Sequence, residues 1–286
     1  MPGEQVTTSG RPFRIVTHKN WLAEKFASFG AVQDFGFGID PNTAPETVWW
    51  APGAWVASAR KAGVDLPLMS CGPYWLDRLP SRYRGRSVVT QALHTWTDGQ
   101  IDAPVFVKLA EAKLEGFEAR VFGGRYLASN LRQFHLPPDT LIQVQGVVEF
   151  FAEVRFFIAF GQIVAWSYYR IDDMIWGSEQ FAHTMSSSEN AWSRADWLDK
   201  MRRVVRDVLD DVPVPPGFVL DIGVTRSGQP LVIEANAAWS SGPYDADPAG
   251  VFKAIRAAHD FDQQHPDWAW QPNPMFHRAG PLKLVG

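Results

Sequence analysis

The segment FVLDIGVTRSGQPLVIEANAAW, residues 218–239, decides the fold prediction because it reads as a hairpin with two chemically different sides. Apolar residues alternate with polar ones on both arms, as expected for paired strands that bury one face. Folding the segment symmetrically about residues 226–229 places Asp221 opposite Glu234, with Asn236 two residues further along the same side. The apolar pairs expected on the other side are Leu220–Ala235, Ile222–Ile233 and Val224–Leu231.

The acidic side of this hairpin predicts a magnesium site. Directly opposed side chains on neighbouring antiparallel strands have Cβ atoms about 4.5–5.5 Å apart, so two carboxylates placed there repel each other unless a cation lies between them. Asp221, Glu234 and Asn236 supply only oxygen ligands, the type that Mg²⁺ prefers. A solvated polar face is the alternative interpretation, and a one-residue bulge would break the pairing.

Basic residues within apolar strands predict an anion partner for this site. Lys108 lies inside PVFVKLA (104–110), Lys113 follows in EAKLEGFEARVF (111–122), and Arg155 lies inside EVRFFIAF (153–160). Each of these residues alone is most simply a surface or snorkelling side chain. Three of them on or near apolar strands favour a phosphate-binding role.

A second hairpin is predicted about Gly161 and the glutamine that follows it. A symmetric register places Glu153 opposite Arg170 and Arg155 opposite Tyr168. The first of these pairs is compatible with a structural ion pair and with a ligand-binding role for Glu153, and both interpretations stay open.

The rest of the chain favours a mixed α and β protein with a division near residue 98. Strands and helices alternate along the sequence. Apolar residues at helical spacing predict a helix over residues 194–211 and another over residues 87–96. Residues 1–12 resemble a loose tail. We expect a smaller N-terminal part over residues 1–98 and a larger domain over residues 99–286.

Composition excludes several classes of protein. The chain has 286 residues, and its 27 Lys and Arg against 31 Asp and Glu give a net charge of −4, which argues against nucleic acid or an anionic membrane as partner. Its longest uncharged apolar stretch, between Arg155 and Arg170, is shorter than the roughly 20 residues of a membrane helix. No GxxxxGK[ST], GxGxxG or GxSxG motif is present. We therefore predict a cytoplasmic protein.

Taken in order, these segments resemble the ATP-grasp superfamily over about residues 85–262. VFVK (105–108) is similar to its first lysine strand, and AKLEGF (112–117) to its phosphate loop. LIQVQGVV (141–148) resembles the linker strand that receives adenine, and EVRFFI (153–158) the Glu-x-Arg strand. VLDIGV and VIEAN, within residues 219–236, resemble the metal motif. The combination of Lys108, Lys113 and Arg155 is similar to the branch with one arginine and two lysines.

The resemblance implies an α+β fold in which two α+β subdomains grip ATP, next to a smaller N-terminal α/β part. It implies that Lys108 and Lys113 contact the phosphates, that Arg155 lies near the γ-phosphate and that Glu153 reaches the ribose. Asp221, Glu234 and Asn236 would hold one or two Mg²⁺ ions. The residues implied to hold adenine through their backbone are Gln145, Gly146, Val147 and Val148.

The activity implied is an ADP-forming ligation of a carboxylate to an amine through an acyl phosphate, with a small molecule, an amino acid, a peptide or a protein as substrate. The small residues in the loop NAAWSSGPYDAD (236–247) leave room for an acceptor beside the γ-phosphate. One alternative is a kinase that phosphorylates a hydroxyl or guanidino group. Another is an ATP-binding module without turnover.

Overall fold

The N-terminal part of the chain forms a three-stranded parallel sheet with short helices around it. The computed structural model describes residues 10–187 and 191–286, so the first nine residues of the predicted tail lie outside it. The strand order is β2-β1-β4, with β1 in the centre. The elements of this part are β1 (Phe13–Val16), α1 (Asn20–Glu24), β2 (Ala31–Asp34), β3 (Gly38–Ile39), β4 (Val48–Trp50), α2 (Gly53–Lys61), α3 (Trp75–Arg78) and α4 (Ser81–Arg84).

The next segment builds a four-stranded antiparallel sheet that carries Lys108, here called the lysine sheet. Its strand order is β5-β8-β6-β7. Val107, Leu109 and Ile142 are buried on one face of this sheet, where they join the core shared with the N-terminal part. The elements are β5 (Val88–Ala92), β6 (Pro104–Leu109), β7 (Arg120–Gly123), α5 (Leu127–Arg132) and β8 (Leu141–Gly146).

The helix predicted over residues 87–96 is wrong. Its first half is strand β5, and only Leu93–Thr95 form a short 3₁₀ turn. Val88, Val89 and Thr90 are β-branched, which favours the extended conformation. Pairing with β8 then satisfies the backbone, with Thr90 opposite Gln143. This strand precedes the predicted division at residue 98 but belongs to the lysine sheet, and the division itself stays a prediction.

The remainder of the chain forms a five-stranded sheet that carries the acidic hairpin, here called the carboxylate sheet. Its order is β11-β10-β9-β12-β13, so the central strands β9 and β12 are neighbours. The elements are β9 (Phe150–Ala159), β10 (Gln162–Ile171), β11 (Met174–Ile175), α6 (Glu179–Ser186), α7 (Ala191–Asp211), β12 (Gly217–Thr225), β13 (Pro230–Asn236), α8 (Pro248–Ala257) and β14 (Lys283–Leu284).

Two helices cover the two faces of the carboxylate sheet. The helix predicted over residues 194–211 is confirmed as α7, which packs Met201 and Val205 against Phe156 and Leu220. On the opposite face α8 packs together with Val219 in the larger core. Because successive strand residues point to opposite faces, Asp221 shares its face with Val219 rather than with Leu220. The α7 face is therefore purely structural, while the α8 face includes the acidic side of the hairpin.

Helix α8 lies so close to the sheet that backbone meets backbone. A Cβ atom on Gly250 would overlap the Val164 carbonyl oxygen, and one on Gly217 would overlap the Ala258 nitrogen. Only glycine fits either position. The polypeptide ends beyond α8 with short 3₁₀ turns and β14, which pairs in parallel with β3 of the N-terminal part. Among the described residues, no helix is both long and apolar enough to span a membrane.

Candidate functional site

The acidic hairpin keeps its predicted register at the site and loses it towards the turn. Asp221 lies opposite Glu234, and Leu220 opposite Ala235, as predicted. Beyond them the predicted pairs of Ile222 and Val224 are wrong. Ile222 pairs with Val232, and Val224 with Pro230, because Ile233 is an extra residue that forms a β-bulge. The carboxylate pair lies on the far side of the bulge from the turn, so its register is unaffected.

Asp221 is bound by Arg155 in a bidentate ion pair inside the carboxylate sheet. The two residues are direct neighbours in the β9–β12 register. Arg155 Nε donates to Oδ1 at 2.9 Å and Nη2 donates to Oδ2 at 2.7 Å. Arg155 is 5% exposed and Asp221 1%. Burial by itself disfavours the guanidinium charge, but the carboxylate of Asp221 outweighs it and raises the pKa of Arg155 above its usual value.

Glu234 and Asn236 complete the cluster at the end of β13. Glu234 forms an ion pair with Lys108 of the lysine sheet. Asn236 Nδ2 donates to Asp221 Oδ2 at 3.1 Å and to Glu234 Oε1 at 2.7 Å, so one amide links the two carboxylates. The structure therefore brings together the three residues predicted to hold the metal.

This donor set fits a magnesium ion. Among the described residues no group of three His, Cys, Asp or Glu side chains forms a metal cluster, so the site depends on two carboxylates completed by an amide. Asn236 contacts both carboxylates through its amide group, and a half-turn of that group presents its oxygen to the same place. Three oxygen-bearing side chains with room for water and phosphate oxygens are typical of Mg²⁺ sites.

The two predicted lysines lie beside the carboxylates. Burial lowers the pKa of Lys108 to about 8, while the nearby charge of Asp221 acts in the opposite direction. Lys113 follows β6 on a loop, and desolvation together with the charge of Arg155 lowers the pKa of its ammonium. Lys108, Lys113 and Arg155 thus form one cationic group around two carboxylates, which leaves positive charge available for an anion.

The predicted adenine-binding backbone lies at the end of β8. Gln145 is buried, and its amide donates to Gln143 Oε1 at 2.7 Å. The Gly146 N–H already donates to the Ser87 carbonyl at 3.0 Å. Val147 and Val148 follow the strand, and Val147 is exposed. Contact of these four residues with adenine stays a prediction.

The second hairpin is confirmed at one of its two predicted pairs. Glu153 lies opposite Arg170, and Arg170 Nη1 donates to Glu153 Oε1 at 2.8 Å. Arg155 lies opposite Ser167 rather than Tyr168, because the register shifts by one residue between Tyr168 and Arg170. The structural ion pair is present, and a contact of Glu153 with ribose stays a prediction.

Sequence analysis does not find Arg86, which joins the two sheets. Its guanidinium donates to the Val232 carbonyl at 2.8 Å, to the Ile233 carbonyl at 2.9 Å and to Gln145 Oε1 at 2.7 Å. Burial lowers its pKa to about 10. In the sequence it is one of several arginines in SRYRGR, a run typical of an exposed segment. Arg86 holds the bulged strand β13 against the end of β8.

Glu111 is the second residue that sequence analysis does not single out. Its carboxylate accepts hydrogen bonds from Ser70 Oγ and from the Gly72 N–H, both at 3.1 Å, and so connects the N-terminal part to the end of the lysine strand. Together with Lys108 and Glu234 it lines a small cavity between the two sheets. Burial raises its pKa to about 7. The cavity identifies the site as a cleft between the sheets.

Comparison with known proteins identifies the family. The matching model is that of an ATP-grasp domain, family 2 of the clade with one arginine and two lysines. It matches residues 83–254, which is more than half of the chain. No curated protein matches the chain.

Solved structures of similar fold have low sequence identity. A RimK domain protein ATP-grasp from Sphaerobacter thermophilus is 13% identical, with 88% of this chain and 98% of that chain covered at a TM-score of 0.44. D-alanine–D-alanine ligase from Bacillus anthracis, complexed with ATP, is 12% identical over 87% of this chain and 95% of that chain, with a TM-score of 0.48. N5-carboxyaminoimidazole synthetase from Staphylococcus aureus, complexed with ADP, is 9% identical over 88% and 78%, with a TM-score of 0.47.

The resemblance seen in the sequence is thereby confirmed at the level of superfamily and α+β fold. ATP with Mg²⁺ is the cofactor pair of this fold. Because the family match covers the lysine sheet, the bulged hairpin and most of α8, the chain belongs to the ATP-grasp domains, in family 2 of the clade with one arginine and two lysines.

Proposed function

We propose that this protein is an ADP-forming ligase that joins a carboxylate to an amine through an acyl phosphate. The observation that carries the proposal is the single cluster in which Arg155 and Lys108 pair with Asp221 and Glu234, with Asn236 between the carboxylates. The cluster has oxygen ligands for a metal ion and cations for phosphate oxygens at the same place.

In this proposal Asp221, Glu234 and Asn236 hold Mg²⁺, which would neutralise charge on the terminal phosphates of ATP. Lys108 and Lys113 bind phosphate oxygens, and Arg155 binds the γ-phosphate. The transfer of a phosphoryl group depends mainly on positioning and on stabilisation of charge, and it needs no nucleophile from the protein. The buried bidentate pair with Asp221 keeps Arg155 charged and fixed in orientation, as a phosphate ligand requires.

The nucleotide base and sugar are assigned to the two edges of the cleft. We place adenine against the backbone of Gln145, Gly146, Val147 and Val148 at the end of β8, and the ribose beside Glu153. Glu153 is already oriented by its ion pair with Arg170, which supports a fixed hydrogen-bond acceptor at that position.

The carboxylate substrate is placed beside the loop of residues 236–247, with a small molecule or a peptide as its source. This loop begins at Asn236 and returns to the site, where the Gly242 carbonyl accepts a hydrogen bond from Arg155 Nη1 at 3.2 Å. Residues bordering this loop therefore select the acceptor. We assign residues 1–98 to the substrate part and residues 99–286 to the catalytic domain.

The experiment that tests this function is a screen of carboxylates and amines with Mg·ATP, in the presence and absence of hydroxylamine. An acyl phosphate is intercepted by hydroxylamine as a hydroxamate, so we expect ADP and a hydroxamate from the correct carboxylate. A stable phosphorylated product without hydroxamate would identify a kinase. AMP and pyrophosphate as products, or ATP binding without substrate-dependent turnover, would overturn the proposal.

A further inference from the structure

Arg155 is held on its second side by two tyrosines. Its guanidinium carbon lies 5.0 Å from the centre of the Tyr244 ring and 5.6 Å from that of Tyr169. The two rings stack on each other, with centres 5.3 Å apart and planes 15° apart. A guanidinium over aromatic faces is attracted by their π electrons. While Asp221 fixes one edge of the guanidinium, the tyrosines therefore fix its plane.

Tyr244 adopts a backbone conformation that needs support. Its φ angle is 49°, in the left-handed region that costs a side-chain-bearing residue conformational energy. Its carbonyl oxygen accepts a hydrogen bond from Lys25 Nζ, which comes from the end of α1 in the N-terminal part. The next residue, Asp245, donates its N–H to Ser167 Oγ at 3.2 Å.

A second chain of contacts joins α1 to the same ring. Trp21 of α1 lies 5.7 Å from Trp176, centre to centre, and Trp176 lies 5.5 Å from Tyr244 in an edge-on arrangement. Helix α1 thus reaches Tyr244 through its backbone by Lys25 and through its ring by Trp21 and Trp176. No other helix of the N-terminal part is described in contact with this ring.

We propose that Lys25 and Tyr244 are positioning residues, through which the N-terminal part sets the orientation of Arg155 towards the terminal phosphate. The inference rests on the proposed function, which places Arg155 at the γ-phosphate. Loss of the Lys25 bond frees the Tyr244 backbone to leave its strained conformation, and the ring then no longer supports the guanidinium. The effect is confined to the γ-phosphate, because the residues assigned to adenine and to the ribose make none of these contacts.

The test compares the binding of Mg·ADP with that of Mg·AMP-PNP by calorimetry, because only the second nucleotide carries a γ-phosphate. We expect the wild-type protein to prefer AMP-PNP, and Lys25→Met to weaken AMP-PNP binding by about five- to tenfold with ADP binding unchanged. Tyr244→Leu should act in the same way. Lys25→Arg and Tyr244→Phe keep the hydrogen bond or the ring and should keep the preference.

Lys19→Met is the matched control, because Lys19 is an exposed lysine just before the same helix. It should leave both affinities unchanged, and a thermal melt of each variant checks the fold. Equal binding of the two nucleotides by wild type and by Arg155→Lys would refute the γ-phosphate role of Arg155 itself. A wild-type preference that survives in both Lys25→Met and Tyr244→Leu overturns only the positioning role, as does an equal loss of both nucleotides in folded variants.

Discussion

Lys108 and Glu234 form an ion pair that crosses the cleft between the two sheets. A predicted phosphate ligand and a predicted metal ligand thus neutralise each other when no nucleotide is bound. Magnesium would take the place of the ammonium at Glu234, and a phosphate would take the place of the carboxylate at Lys108. Metal and nucleotide should therefore bind cooperatively, because each relieves the charge that the other leaves unpaired.

Replacement of Glu234 by glutamine should abolish Mg²⁺-dependent ATP turnover, with a loss of about a hundredfold or more, because it removes the charge but almost no volume. Turnover is measured as ADP release. The control is Glu179→Gln at an exposed position of α6, which should retain full turnover. A Glu234→Gln enzyme within a few-fold of wild type would remove Glu234 from the metal site.

Replacement of Lys108 by methionine should weaken ATP binding by about ten- to a hundredfold with little change in thermal stability. The energetic cost of burying this ammonium is evident in its pKa, which burial lowers to about 8, so methionine removes that cost along with the ion pair. Calorimetry with ATP measures the affinity. Lys253→Met, at an exposed position of α8, is the control. Unchanged ATP affinity in Lys108→Met would make Lys108 a structural residue.

Replacement of Arg86 by methionine should destabilise the protein by about 2–4 kcal/mol, because it leaves the carbonyls of Val232 and Ile233 without their donor. Urea unfolding measures the loss. Arg206→Met on the exposed side of α7 should cost less than about 0.5 kcal/mol. If the two variants unfolded at the same urea concentration, the bulge would be stable without Arg86.

Stability should fall between about pH 6.5 and pH 4 because of His259. The ring is neutral in the fold, since Nε2 accepts the Trp49 N–H and Nδ1 donates to the Ile255 carbonyl, both at 2.9 Å. Burial lowers the pKa of His259 from 6.5 to about 4. In this range the unfolded chain binds the proton and the folded chain does not, so acid favours unfolding, by about 3 kcal/mol at the lower end.

Urea unfolding at a series of pH values checks this prediction in wild type and in His259→Gln, which cannot titrate. The variant should lose much of the dependence on pH in this window. His265→Gln, at an exposed site, should keep it. A wild-type slope preserved in His259→Gln would assign the acid sensitivity to other groups.

The acidic hairpin, the lysine strand and α7 could be predicted because each depends on a local pattern of apolar and polar residues. The bulge at Ile233 could not, because an extra residue leaves the alternation of β13 readable in either register. The sequence predicts a helix in place of strand β5 because the apolar residues there also fit helical spacing. Its partner β8 decides the matter, and that partner is remote in the sequence.

The same limit applies to the residues that sequence analysis does not find. Arg86 and the Val232 carbonyl are 146 residues apart, and Glu111 and Gly72 are 39 residues apart. Neither pair has a sequence motif, since one partner in each is a backbone group that any residue supplies. The position of Tyr244 against Arg155 likewise depends on a left-handed backbone at a residue other than glycine, which no local pattern indicates.

The glycine contacts of α8 have a mechanical consequence. Helix and carboxylate sheet touch through the backbone at Gly250 and Gly217, without a layer of side chains between them that could repack. Sliding of one past the other is therefore blocked, and the two should move as one rigid jaw. The lysine sheet meets this jaw through the side chains of Arg86 and Lys108, whose bonds exchange without any change in backbone pairing. Opening of the cleft to admit a nucleotide is thus expected from a swing of the lysine sheet, while the carboxylate jaw stays in place.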